Sequence, residues 1–222
     1  MVTSLQLNDK QSQAIKSKSD TTLFIGGIGC GKSFALGVDL LILSHLTSGS
    51  LGLVIAPSYD VIRYATLPAI EEAFEVLGIR ENEDYVVNKK PPREWGVDSF
   101  SSLNNNRIIT FRNGSFAILE TAENYNKHRG AQYDYELCDE LRDFREDAVK
   151  VLMGRLRGTA FKNNGIKHRF KAYTTPFDNP NDFKELRQNS LVIKSTTFDN
   201  EHNLPSGYID LQKSQLDEKT YK

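Results

Sequence analysis

Gly26-Gly27-Ile28-Gly29-Cys30-Gly31-Lys32-Ser33 decides the fold of this chain. The octet fits the pattern GxxxxGK[ST] and stands where that pattern has meaning. It follows an apolar run, Thr22-Leu23-Phe24-Ile25, that reads as a strand, and precedes a helical stretch starting near Gly31. Glycines let such a loop bring its backbone N–H groups, together with the positive end of the next helix, around phosphate oxygens. Lys32 is placed to reach the β- and γ-phosphates of a nucleotide, and the Ser33 hydroxyl to ligate Mg²⁺. The competing reading, a glycine-rich turn with a chance lysine, leaves the strand and helix on either side unexplained.

Such a loop requires a carboxylate at the end of a neighbouring buried strand, and Tyr135-Glu136-Leu137-Cys138-Asp139-Glu140 provides one followed by another. Asp139 is expected to hold Mg²⁺ through water, and Glu140 to orient and deprotonate an attacking water. An acidic helix start is the structural alternative, since Asp143, Glu146 and Asp147 follow.

Outward from these motifs, Leu51–Ala56 reads as a second strand, so that strand, loop, helix and strand form a βαβ unit. A helix is expected over residues 8–17, capped by Asn8 or Asp9, and a long one over Tyr59–Leu77, kinked at Pro68. The helix after the loop should bury Phe34, Leu36, Val38, Leu41 and Ile42. Arg107–Arg112 and Ser115–Glu120 read as a hairpin joined at Asn113-Gly114, and further strands are expected at Phe170–Thr174 and Leu191–Thr196. Strands alternating with helices imply an α/β protein whose mainly parallel sheet is covered on both faces.

At 222 residues the chain fits one large domain, and a net charge of -1 excludes attraction to nucleic acid by the whole surface. Any such contact needs a local patch. Residues 150–171 supply one, with Lys150, Arg155, Arg157, Lys162, Lys167, Arg169 and Lys171 and no acid; an ordinary solvated surface is the alternative. Cys30 and Cys138 lie in the loop and a buried strand, unlike a disulfide framework, which favours a reducing intracellular setting. The most apolar stretch, Ala35–Leu46, contains Asp39 and is too short to span a bilayer.

The order of Gly26 to Ser33, Arg129-Gly130, Asp139-Glu140 and Thr174-Thr175-Pro176 resembles the ATPase domain of bacteriophage terminase large subunits over nearly the whole chain. The resemblance implies a phosphate-loop fold of the additional-strand, catalytic-glutamate type, with a core over residues 1–196 and a small lid or linker over 197–222. It implies ATP and Mg²⁺ as nucleotide and metal, Arg129 as a finger reaching a neighbouring subunit's site, and Thr174 and Thr175 as a coupling motif that senses the γ-phosphate. It also implies a glutamine that reads adenine, for which Gln11 and the nearby Gln13 both qualify. The loop departs from the family in offering Ile28 and Cys30 where many members carry an arginine, so no arginine of the loop itself is assigned.

Function follows from the same resemblance: a motor that couples ATP hydrolysis to translocation of double-stranded DNA into a procapsid in the host cytoplasm. Expected partners are a portal protein, a small terminase subunit and further copies of the chain, forming a pentameric ring on the portal from subunits monomeric alone. DNA contact is expected from Arg155, Arg157, Lys162, Lys167 and Arg169. Full large subunits in the family add a C-terminal nuclease of the ribonuclease H type. No second acidic metal cluster is present here, so little DNA cleavage is expected. A superfamily 2-type helicase lobe shares the loop, the acidic pair and an upstream glutamine, but needs further motifs and a second lobe. A regulatory subunit that binds ATP without turnover is the non-enzymatic rival.

Overall fold

The computed structural model describes residues 6–100 and 106–215. Asn104 and Asn105 of the asparagine run, and residues 216–222 of the expected lid, lie outside the described residues. Helix α1 (Asp9–Lys16) opens with a capping box in which Asn8 Oδ1 accepts from Gln11 N at 2.8 Å and Gln11 Oε1 accepts from Asn8 N at 2.9 Å. Strand β1 (Thr21–Gly26), helix α2 (Lys32–His45) and strand β2 (Leu51–Ala56) then form the expected βαβ unit.

The long helix predicted next is broken into α3 (Tyr59–Val61), a π turn over Ile62–Thr66, and α4 (Leu67–Val76). Pro68 explains the break: it has no N–H, and its ring would press on the carbonyl of Tyr64 in a regular helix. Widening the preceding turn, with Leu67 N bonded to Ile62 O, relieves that conflict. Of the α2 face read from sequence, Leu36 and Val38 are buried, Phe34 and Leu41 are half-buried, and Ile42 is 41% exposed. Because α2 packs against the sheet, α1 and α4 at once, its buried surface is broader than one stripe.

The remaining elements are β3 (Tyr85–Val87), β4 (Ile108–Phe111), β5 (Phe116–Thr121), β6 (Tyr135–Asp139), α5 (Glu146–Met153), α6 (Thr159–Asn163), β7 (Arg169–Thr174), α7 (Lys184–Gln188), β8 (Leu191–Ser195) and α8 (Tyr208–Gln215). Strands β4 and β5 form the predicted hairpin. Its connection is a turn closed by Gly114 N to Phe111 O, after which Gly114 takes φ 84° while Asn113 does not adopt positive φ. Strand β3 pairs antiparallel with β4 and was not predicted; it is three residues long and lies in a polar stretch.

All eight strands form one sheet in the order β3-β4-β5-β2-β6-β7-β1-β8. From β5 to β8 every pair is parallel, so the carboxyl ends of those strands share one edge. β7 is inserted between β1 and β6, the arrangement named by the additional-strand type. One face buries Phe24, Leu36, Ile70, Phe74 and Leu137 beneath α1, α2 and α4. The other buries Leu23, Leu53, Ile55, Phe144 and Leu152 with α5. Each large apolar side chain so buried contributes about 1.5–3 kcal/mol before entropy.

Asp39, which interrupts the apolar helix in sequence, meets a buried partner. Its carboxylate lies 2.7 Å from Lys171 Nζ and accepts from Tyr173 Oη at 2.5 Å. Lys171 also donates to the carbonyls of Ala14 and Ile15 at the end of α1. This removes Lys171, only 1% exposed, from the basic surface expected of residues 150–171. Burial pushes Asp39 up and Lys171 down, each against the attraction of the other. Among the described residues no helix is long and apolar enough to cross a membrane.

Candidate functional site

Gly26 closes β1, and a Cβ there would stand 2.4 Å from Cys30 Sγ and 3.1 Å from Ser195 O. Only glycine permits that approach. Gly29 and Gly31 take φ 77° and 79°, and Gly31 is the N-cap of α2 without a side-chain cap bond. The first-turn N–H groups of α2 therefore face the loop with the helix dipole behind them, the arrangement that attracts phosphate. Lys32 is buried and donates from Nζ to Gly26 O at 3.1 Å and Gly27 O at 3.2 Å. The loop's Cys30 and the β6 residue Cys138 are buried, free thiols. Ile28 is the exposed member of the loop.

Across the sheet edge, β6 delivers Asp139 to α2. Ser33 Oγ lies 3.4 and 3.5 Å from the two Asp139 oxygens, and Thr66 Oγ1 donates to Asp139 Oδ2 at 2.7 Å. Burial raises Asp139 to about 6, opposed by the Thr66 bond. A buried carboxylate facing a hydroxyl suits a cation that keeps most of its coordination from water and phosphate, as Mg²⁺ does. Glu140 follows in a left-handed conformation, φ 50° and ψ 53°, a costly backbone for a side chain of its size. Its amide donates to Tyr173 O at 2.8 Å. Its Oε2 accepts from both the amide and the hydroxyl of Thr175 at 3.0 Å, and its Oε1 lies 3.8 Å from Lys32 Nζ.

The two threonines thus differ. Thr174 is fully buried, with its hydroxyl engaged by Arg142 N at 2.9 Å and Thr175 O at 3.1 Å, whereas Thr175 holds Glu140 directly. Arg142, not singled out from the sequence, ties the two segments together: Nη1 donates to Pro176 O at 3.2 Å and Nη2 lies 3.5 Å from Asp178. An opening of about 330 Å³ beside it is lined by Ile28, Glu140, Arg142, Asp143, Thr175, Pro176 and Asp178. Thr66 was also missed, because its approach to Asp139 depends on the π turn.

Gln11 lies beside the loop, with Nε2 donating to Gly31 O at 2.9 Å, while Gln13 is exposed. Both ends of the Gln11 amide are engaged by backbone. Arg129 is not brought to the loop. It is the penultimate residue of the 3-10 segment Ala122–Gly130 and bonds Asn126 from Nε at 2.9 Å. Its carbonyl accepts from Arg155 Nη1, and Arg155 O in turn accepts from Tyr133 N, just before β6 begins. Arg129 therefore lies beside Arg155, where the chain approaches the start of β6, and makes no bond to Lys32, Ser33, Asp139 or Glu140 among the described residues. Arg157, Lys162 and Lys167 are exposed and Arg169 is half-buried; Lys167 lies 3.4 Å from Asp20.

A glycine loop between β1 and α2, an acidic pair ending β6, and β7 inserted between those strands define a phosphate-loop NTPase fold of the additional-strand type. Residues 23–214 match the family described as terminase large subunit, T4likevirus-type, N-terminal. The chain belongs to that family. In structure it is similar to the large terminase of a thermophilic bacteriophage, with TM-score 0.70 and 13% identity over 98% of this chain and 52% of that one. The same thermophilic phage protein in complex with ATP-gamma-S gives TM-score 0.67 and 16% identity over 97% and 51%. The ATPase domain of the Thermus phage P74-26 large terminase gives 0.59 and 15% over 97% and 92%. This chain spans about half the length of the first of these proteins. No curated protein sequence matches it.

Proposed function

We propose that this chain is the ATP-hydrolysing motor part of a viral terminase large subunit, driving double-stranded DNA into a procapsid. The observation that carries the reading is the convergence of Lys32, Ser33, Asp139 and Glu140 at one edge of the sheet. In this account the loop amides and Lys32 hold the β- and γ-phosphates, and Ser33 and Asp139 hold Mg²⁺. When bound, the metal neutralises charge on the phosphates. Glu140, oriented by Thr175, takes a proton from the water whose oxygen bonds to the γ-phosphorus as the bridge to ADP breaks. Thr175 links the base to the segment after β7, which makes it the coupling residue next to the reacting atoms, with Thr174 supporting it from below.

Arg129 acts in trans in this account. Its position far from its own loop supports that reading, and a guanidinium suits the spread charge of a phosphoryl transition state. Copies of the chain would form a ring on the portal, with a small terminase subunit as a further partner, in the host cytoplasm. Exposed Arg157, Lys162 and Lys167, with Arg169, are the cations proposed to track DNA phosphates. Residues 197–215, the described part of the lid or linker expected over 197–222, act as that lid or linker in this reading.

Phosphate release with and without double-stranded DNA tests the proposal. Lys32→Ala should lose nucleotide binding and hydrolysis together, while Glu140→Gln should keep ATP binding and lose at least about 10²-fold in turnover. Wild-type turnover by Glu140→Gln at saturating Mg²⁺ would refute the assignment of the base. ATP binding without turnover in the native protein would favour a regulatory subunit instead.

A further inference from the structure

The carbonyls of the phosphate loop are held from outside by side chains remote in sequence. Thr197 Oγ1 donates to Ile28 O at 2.7 Å, Asn200 Nδ2 to Gly29 O at 2.8 Å, Asn8 Nδ2 to Cys30 O at 3.5 Å, and Gln11 Nε2 to Gly31 O at 2.9 Å. Two of these donors stand at the start of α1. The other two belong to the segment after β8, more than 160 positions from the loop. A peptide unit is planar and trans, so a carbonyl turned one way sends the next residue's N–H the other way. Bonds to the carbonyls of Ile28, Cys30 and Gly31 therefore turn the N–H groups of Gly29, Gly31 and Lys32 toward the side on which a phosphate must lie. Cys30 N closes a turn onto Gly27 O at 3.3 Å.

Asn200 is the hub. It is 6% exposed, and its Oδ1 accepts from Asn203 Nδ2 at 2.9 Å and Asn8 Nδ2 at 3.5 Å, while Asn203 also bonds Gln6 O at 2.9 Å. The segment is fitted closely to the loop. A Cβ on Gly31 would lie 2.2 Å from Gln11 Nε2 and 3.4 Å from Asn200 Nδ2, and one on Gly29 would lie 3.1 Å from the Tyr208 ring and 3.4 Å from Leu204.

We infer that Asn200 is a positioning residue of the nucleotide site: by donating to Gly29 O it holds the peptide whose N–H closes the turn onto Gly27 O, and by accepting from Asn8 it steadies the donor to Cys30 O, so that the loop keeps its remaining amides in their phosphate-binding orientation. The inference rests on the nucleotide site proposed above. It places the segment after β8 behind the loop as a brace of its backbone, with its effect on nucleotide affinity rather than on the chemical step.

The test is equilibrium binding of Mg²⁺-ATP-γ-S to the wild type, Lys32→Ala, Asn200→Ala and Asn200→Asp, with turnover at saturating ATP measured alongside. Asn200→Ala should weaken binding by about 10-fold, the loss of its single hydrogen bond to the loop. Asn200→Asp, nearly equal in volume, should weaken it by at least about 100-fold at pH 7.5. It sets an acceptor against the Gly29 carbonyl and a negative charge beside the phosphates. Turnover at saturation should stay within about threefold of wild type. Lowering the pH to 5 should restore part of the Asn200→Asp loss relative to wild type, because a protonated carboxyl can donate. A filler of space would give the opposite order, with Asp milder than Ala and no dependence on pH, and that result would overturn the inference. Thr197→Val, isosteric and lacking the donor to Ile28 O, is measured as well in case Asn200→Ala does not fold; unchanged affinity in both Thr197→Val and Asn200→Asp is likewise contrary. Should the wild type bind no better than Lys32→Ala, the proposed nucleotide site itself fails. A wild type that binds, beside an Asn200→Asp protein that binds equally well, sinks only the role of Asn200.

Discussion

Glu136 is a carboxyl placed in β6 with no exposed surface and no hydrogen-bond partner for either oxygen among the described residues. Burial raises it to about 8, against the weaker pull of Arg155. Its pKa in the unfolded chain is close to 4.3, so between the two values the folded protein holds a proton that unfolding releases. The sign follows: this group's stability contribution is complete below about pH 4.3 and is lost as pH rises toward 8. Glu136→Gln, neutral at every pH, should match the wild type at pH 4.5 and exceed it by at least about 1 kcal/mol at pH 8, read from denaturant melts. A difference that does not change with pH would mean that Glu136 is ionised in the fold. At this scale the sequence revealed the residues whose chemistry demands a fixed spacing: Gly26 to Ser33, Asp139 and Glu140. It did not reveal Thr66, Arg142 or Asn200, whose partners lie far along the chain, or that Thr175 rather than Thr174 meets Glu140. Those are facts of tertiary placement, with no local pattern to read.

Helix α2 carries Lys32 and Ser33, and its position depends on how closely α4 approaches it. Gly37 sets that distance: a Cβ there would lie 2.8 Å from Ala73 Cβ and 2.9 Å from Ile70 Cα. Helix propensity alone favours alanine by about 0.8–1 kcal/mol. Contact with a backbone carbon cannot be relieved by a rotamer, however, and overpacking costs about 1–3 kcal/mol. The steric effect should win, so Gly37→Ala should lower the melting temperature by about 2–4 °C for each kcal/mol lost. A rise in melting temperature would show that α4 yields freely. The elements flanking α2 show what patterning conveys. Strands β1 and β2 were legible as apolar runs bounded by turn residues, and β6 and β7 as short stretches with aromatic residues, one ending in acids and the other before Thr175-Pro176. The π turn was not, since Pro68 signals a defect without specifying how the helix absorbs it, and the edge strand β3 is too short to show a period.

At the scale of the molecule, the proposed nucleotide site lies at the carboxyl ends of the parallel strands, whereas Arg129 lies beside Arg155 where the chain approaches the start of β6. The order of motifs made the family legible from sequence, whereas this separation required the sheet topology. With the roles proposed above, one copy of the chain presents the loop, Ser33, Asp139 and Glu140 together, and its Arg129 apart from them. Two different copies would then complete each working site, and an isolated subunit should hydrolyse ATP slowly at any concentration too low for assembly. Mixing two inactive variants tests this central claim most directly. An Arg129→Ala subunit keeps its own loop and Glu140, and a Glu140→Gln subunit keeps its arginine, so a ring containing both holds some composite sites with every part. Phosphate release from the mixture above the sum of the separate variants is the predicted result; a mixture no faster than that sum, beside a wild type whose specific activity does not change with concentration, would contradict it.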